Sequence, residues 1–188
     1  MRTGRKLDPF LVTSDLRYLS QATRSRVDRL GALCYRNGIK VVVDETVRGP
    51  GEQGKLWCAS RTPEEISTVR ESLTKVAPRL ALFLREEWAG NFRPLCQELP
   101  GNSWHQWSTA VDVYPLLGGK KLVGTSLNVR VAELAAEAGL LSGVEGLAGA
   151  PLKPHHFQLS RYRYPIFDRD GAGNWGEIDA WIAEVYDV

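Results

Sequence analysis

The chain has 188 residues, 43% of them hydrophobic and 24% charged, and a formal net charge of +2 at pH 7. This fits one compact domain with its own core and excludes a disordered chain. So small a net charge, with arginines scattered along the chain, leaves no footprint for nucleic acid, and Leu7 to Ser20 is broken by Asp8, Pro9, Asp15 and Arg17, so neither a signal peptide nor a membrane segment is read there.

In chain order, Ser14 to Asn37 reads as a helix capped by Ser14, with Leu16, Leu19, Val27, Leu30, Leu33 and Cys34 near helical spacing. Asn37-Gly38 closes it, and the β-branched run Ile39 to Val43 predicts a strand. Arg48 to Gly54, carrying Gly49, Pro50 and Gly51, reads as a loop. Thr62-Pro63-Glu64-Glu65 is a helix start, and its pattern runs towards Val76. A second amphipathic stretch covers Leu80 to Trp88, and Asn91 to Asn102 is loop-like. Ala110 to Tyr114 predicts a strand around Asp112, Leu127 to Leu140 a helix ending at Gly139, His155 to Leu159 a short strand, and Ile178 to Tyr186 a closing helix. Few short strands between helices of unequal length predict an α+β fold, a small, mainly antiparallel sheet flanked by helices, over one domain of residues 1–188. Cys34, Cys58 and Cys96 are odd in number and far apart. They suggest reduced, buried thiols and synthesis in a reducing compartment.

The three histidines fall in two clusters, Ser103-Trp104-His105 and His155-His156. Asp112 follows His105 by seven residues inside an apolar strand, where a lone carboxylate is costly to bury. Either a cation or an arginine can balance it. Zn²⁺ accepts imidazole nitrogen and carboxylate oxygen together, and a second strand with His155-His156 can complete three protein ligands and leave a fourth place open. From spacing alone, a metal site and a buried ion pair both stand.

The decapeptide Ser103-Trp104-His105-Gln106-Trp107-Ser108-Thr109-Ala110-Val111-Asp112 resembles the S-x-H-x-x-G-x-A-x-D signature of the D-alanyl-D-alanine carboxypeptidase and L-alanyl-D-glutamate endopeptidase family. That family includes phage endolysins and is related to hedgehog signalling domains. Ser108 stands where glycine is usual. Pro154-His155-His156-Phe157-Gln158-Leu159 resembles the family's P-H-F-Q-L strand, and Val47-Arg48-Gly49 with Gln53, Leu56-Trp57 and Ser60-Arg61-Thr62 resembles its Y-R-S…Q…L-Y…G-R-T segment. The resemblance implies a hedgehog/D-Ala-D-Ala-peptidase-like fold and one Zn²⁺ held by His105, Asp112 and His156. His155 is the alternative third ligand, and strand alternation lets only one of the pair face the metal. Arg48 matches the arginine that meets a substrate carbonyl or carboxylate; a salt bridge to Asp44, Glu45 or Glu52 is the other reading. Gln53, Ser103 and His155 are the expected substrate-binding residues, while Trp57, Trp104 and Trp107 read as core.

Two departures stand out. The family's general base is an Asp or Glu three residues before the last ligand, and Lys153 occupies that place before His156, as Leu152 does before His155. General acid–base help contributes about 10²–10⁴-fold in rate. Glu145 can replace the missing acid, His155 can act as base if the strand is irregular, or the domain has kept its zinc and lost catalysis. The second departure is a helical insertion at about 62–100. The resemblance implies a monomeric zinc metallopeptidase of peptidoglycan stem peptides. The expectation that goes with it is synthesis in the cytoplasm without a signal peptide and action on the wall if released, as for phage lysins. The alternative is a catalytically impaired zinc domain that binds wall peptide or a protein partner.

Overall fold

The computed structural model describes residues 6–90, 96, 98–143, 153–159 and 174–188. In chain order its elements are β1 (Val12–Thr13), α1 (Gln21–Arg36), β2 (Val41–Glu45), β3 (Val47–Arg48), α2 (Pro50–Cys58), α3 (Pro63–Thr74) and α4 (Pro78–Ala81), then β4 (Ala110–Leu117), β5 (Lys120–Lys121), α5 (Ser126–Glu137), β6 (Leu141–Gly143), β7 (Lys153–Gln158) and α6 (Trp175–Val185). Five strands form one sheet in the order β2-β4-β7-β6, with β5 also on β4, and every pair is antiparallel. The α+β class read from the sequence holds. Contacts divide the chain into two units, Thr13–Val47 with Trp107–Tyr162, and Arg2–Val12 with Arg48–Gln106 and Arg163–Val188. None of the described helices is long and apolar enough to cross a membrane.

The first unit holds the five-stranded sheet with α1 and α5. Val111 and Val113 of β4 and Phe157 of β7 are buried against Val27, Leu30 and Cys34 of α1 and Val131, Leu134 and Ala135 of α5. Strand alternation then turns Asp112 and Tyr114 to the opposite face. Phe157 is fully buried, and its truncation to alanine is expected to cost about 3–5 kcal/mol. The first helix starts later than Ser14 predicts. Asp15 accepts from Arg17 N–H at the head of a single 3₁₀ turn, Leu16–Tyr18, and Ser20 is the N-cap of α1, its hydroxyl accepting from Thr23 N–H. Two local caps outcompete one continuous helix. β5 follows β4 through Gly118-Gly119, both in the left-handed region with φ 57° and 79°, which is the chemistry a two-residue hairpin turn needs.

The second unit is helical. Thr62 and Glu65 form a reciprocal capping box at the start of α3, as the sequence predicts. The segment predicted as a loop from Arg48 is helix α2. Pro50 sits at its first position, where no N–H is required, and its glycines serve close approach rather than a turn. A Cβ on Gly54 would lie 2.0 Å from the Phe83 carbonyl oxygen, and one on Gly51 would lie 2.6 Å from the Phe10 ring. The stretch predicted as one amphipathic run, Leu80 to Trp88, divides into the end of α4 and a 3₁₀ turn, Glu86–Trp88. α4 has no side-chain cap of its own at Ala77. Asp179 of α6 takes that place: Oδ1 accepts from Arg79 N–H (2.7 Å) and Leu80 N–H (3.0 Å), and Oδ2 from Arg79 Nη1 (2.9 Å).

Candidate metal centre

β4 lies between β2 and β7, and register sets Asp112 opposite Glu45 on one side and His156 on the other. Asp112 therefore shares one row of the sheet with a carboxylate and an imidazole. His156 Nδ1 lies 3.0 Å from Asp112 Oδ1, and His156 Nε2 lies 3.3 Å from Gln158 Oε1. Both side chains are 15% exposed, so the pair is shielded but reachable.

His155 does not turn away as strand alternation predicts. Its ring stacks on Tyr114, with centroids 4.5 Å apart and planes 18° apart, and its Nε2 lies 4.0 Å from Asp112 Oδ2. The reason is an irregularity in β7. Against β6 the register passes from Ser142↔Phe157 straight to Gly143↔Lys153, and against β4 pairing stops at Asp112↔His156. Residue 155 lies within this interrupted stretch of β7, where strict alternation does not hold. Tyr114 carries the mark of this face. Burial first, then the charges of Asp112, Asp44 and Glu45, push its phenol up to about 12.

His105 ends a segment pinned by its neighbour Gln106. The Gln106 side-chain oxygen accepts from Gly101 N–H (2.7 Å) and Ser103 N–H (3.3 Å), and Gln106 N–H returns to the Ser103 carbonyl. After it the chain passes through Ser108 at φ 61°, a left-handed conformation that explains why glycine is usual at this place in the resembling signature. His105, Asp112 and His156 each offer one ligand atom, and the three atoms lie within 4.8 Å of one another. Among the described residues these are the group that can hold a metal ion. Two imidazole nitrogens and one carboxylate oxygen are a donor set that suits Zn²⁺.

Arg48 and Gln53 come together in the second unit. Arg48 Nη1 donates to Gln53 Oε1 (3.0 Å), while Gln53 Nε2 donates to the Glu98 carbonyl (2.8 Å). Gln53 is fully buried and Ser103 is 7% exposed. Glu145 lies outside the described residues, and Lys153 is seen as β7 backbone paired with Gly143. Sequence reasoning missed Glu45, Tyr114 and Gln158 as members of this face. Gln158 carries a usable signal, two residues beyond His156 on one strand; Glu45 and Tyr114 join only through the pairing register and the β7 irregularity.

No protein-family model and no curated protein matches the chain. Seven chains among the solved structures match it, two of them as follows. One is the LdcB LD-carboxypeptidase, described for its peptidoglycan recognition, at 12% identity and TM-score 0.45 over 89% of this chain and 65% of that one. The other is VanYB in complex with D-alanine-D-alanine, at 18% identity and TM-score 0.44 over 74% of this chain and 70% of that one. The chain thus spans less than two thirds of the LdcB structure's length.

Proposed function

We propose that this chain is a zinc peptidase acting on the stem peptides of peptidoglycan. The observation that carries the reading is the meeting of His105, Asp112 and His156 within 4.8 Å, from just the two segments that resemble the peptidase signature. These three residues would hold the ion, two as neutral imidazoles and one as carboxylate. Zn²⁺, when bound, supplies a Lewis acid that polarises a peptide carbonyl and lowers the pKa of water. Asp112 and His156 already face each other, so binding the ion demands little rearrangement of β4 and β7. Arg48, steadied by Gln53, is the residue for a substrate carbonyl or carboxylate, with Ser103 and His155 as further substrate contacts. Glu145 is the residue proposed to supply the carboxylate that position 153 lacks. Release onto the bacterial wall in the manner of a phage lysin belongs to the same proposal.

Lys153 favours a second reading, a zinc domain that binds wall peptide without cutting it. A cation in the base position cannot take a proton from water, and the rate lost with such a base is about 10²–10⁴-fold. Digestion of purified muropeptides, read by mass spectrometry, separates the two. Cleavage by the zinc-loaded wild type, abolished in Asp112→Ala, supports the peptidase. Binding without cleavage, with cleavage gained in Lys153→Glu, supports the impaired domain. A protein that takes up no zinc ends both.

A further inference from the structure

The two ring nitrogens of His156 meet different partners. Nδ1 faces the Asp112 carboxylate at 3.0 Å, and Nε2 faces the Gln158 amide oxygen at 3.3 Å. The nitrogens of one imidazole point in diverging directions, so only Nδ1 can share an ion with Asp112. A ring that gives Nδ1 to a cation keeps its proton on Nε2, and that proton needs an acceptor. Gln158 supplies one at no cost in charge, beside a site that already contains a carboxylate. It is also well held. Its backbone is paired with Ala110 on one side and with Leu141 on the other, and residues two apart on a strand share a face. The regular end of β7 thus carries the His156–Gln158 pair, while the irregular end carries His155.

We propose that Gln158 is a positioning residue for the metal centre: its amide oxygen accepts the Nε2–H of His156 and holds the ring with Nδ1 turned towards Asp112. The inference rests on the metal reading above, and all three residues belong to the first unit. Partners of this kind alter metal affinity without touching the metal, because they fix the tautomer and the angle of the ligand ring.

The test compares wild type with Gln158→Leu, which keeps the bulk and removes the acceptor, and Gln158→Glu, which keeps an acceptor. Zn²⁺ alone is titrated against a chelating dye. Gln158→Leu is expected to bind zinc about 10–100-fold more weakly, and Gln158→Glu to stay near wild type. In ¹H–¹⁵N spectra of the zinc-loaded proteins, the His156 Nε2–H proton is expected in wild type and Gln158→Glu and lost to solvent exchange in Gln158→Leu. A role in packing alone would not move that resonance. If Gln158→Leu fails to fold, Gln158→Asn, one methylene shorter, replaces it with the same expectation. A leucine or asparagine variant that binds zinc as tightly as wild type, or retains the ring proton, overturns the role of Gln158. A wild type that binds no zinc overturns the metal reading instead.

Discussion

Removing the carboxylate of Asp179 tests how the helical unit is held. Asp179 of α6 is 4% exposed and serves three donors on α4: the Arg79 and Leu80 backbone N–H groups and the Arg79 guanidinium. Asp179→Ala strips the Leu80 N–H within a fully buried residue, and an unsatisfied buried donor costs about 1–3 kcal/mol. Loss of the cap at Arg79 N–H adds about 0.5–2 kcal/mol. The Arg79 side chain is 47% exposed, so the ion pair is discounted for screening to at most about 1 kcal/mol. Together these give a loss of about 3 kcal/mol, with the two N–H groups carrying most of it. Asp179→Asn keeps an oxygen for those groups, so it is expected to lose roughly 1 kcal/mol, mainly the share that depends on charge. Urea unfolding followed by tryptophan fluorescence reads both. With a slope of about 2 kcal/mol per molar, the alanine variant moves the midpoint down by roughly 1.5 M and the asparagine variant by about 0.5 M. An alanine variant indistinguishable from wild type, or an asparagine variant as damaged as the alanine one, would refute the capping account.

Ser108→Gly is expected to stabilise the protein, since a left-handed non-glycine residue costs about 1–2 kcal/mol and the added chain entropy returns only part of it. A thermal melt showing no gain would count against strain at this turn. Tyr186 is fully buried, and burial pushes its phenol above the ordinary tyrosine range. The folded state therefore favours the neutral ring: this stability is fully present below about pH 10 and is lost as pH rises towards the higher folded value. Urea midpoints between pH 8 and 11 should fall less steeply in Tyr186→Phe, and equal slopes would contradict this. Zinc at a hundredfold excess over its dissociation constant should add about 2.7 kcal/mol of stability. For a chain of this size that is roughly 5–10 °C in Tm, reversed by a chelator and absent in His105→Ala. An unchanged wild-type Tm would be the contrary result.

What could be read in the sequence was local chemistry. The cap of α3 needs only Thr62, Pro63 and Glu65, all within one turn, and the structure forms it as written. α2 was illegible for the opposite reason. Gly51 and Gly54 answer to Phe10 and Phe83, which lie far off in the chain, so they look like punctuation when they are contacts. β5 and β6, two and three residues long, carry too short a pattern to stand out. The same division runs through the candidate site. His105 and Asp112 sit in one decapeptide and announce themselves. The nearness of Glu45 to Asp112 depends on which residues two strands set opposite each other, and the position of His155 depends on an interrupted ladder. Neither is written in any single segment.

The burial of the thiols has a practical side. Cys34 and Cys58 are wholly enclosed, Cys96 is 5% exposed, and burial raises the first two above the ordinary thiol range. All three native sulfurs should therefore be slow nucleophiles towards maleimides in the folded protein. An extra cysteine at the exposed hairpin residue Lys120 would then accept a fluorophore or spin label selectively. The native protein needs no cysteine removed beforehand, so the attached reporter can follow zinc uptake by a chain whose core is left as it is.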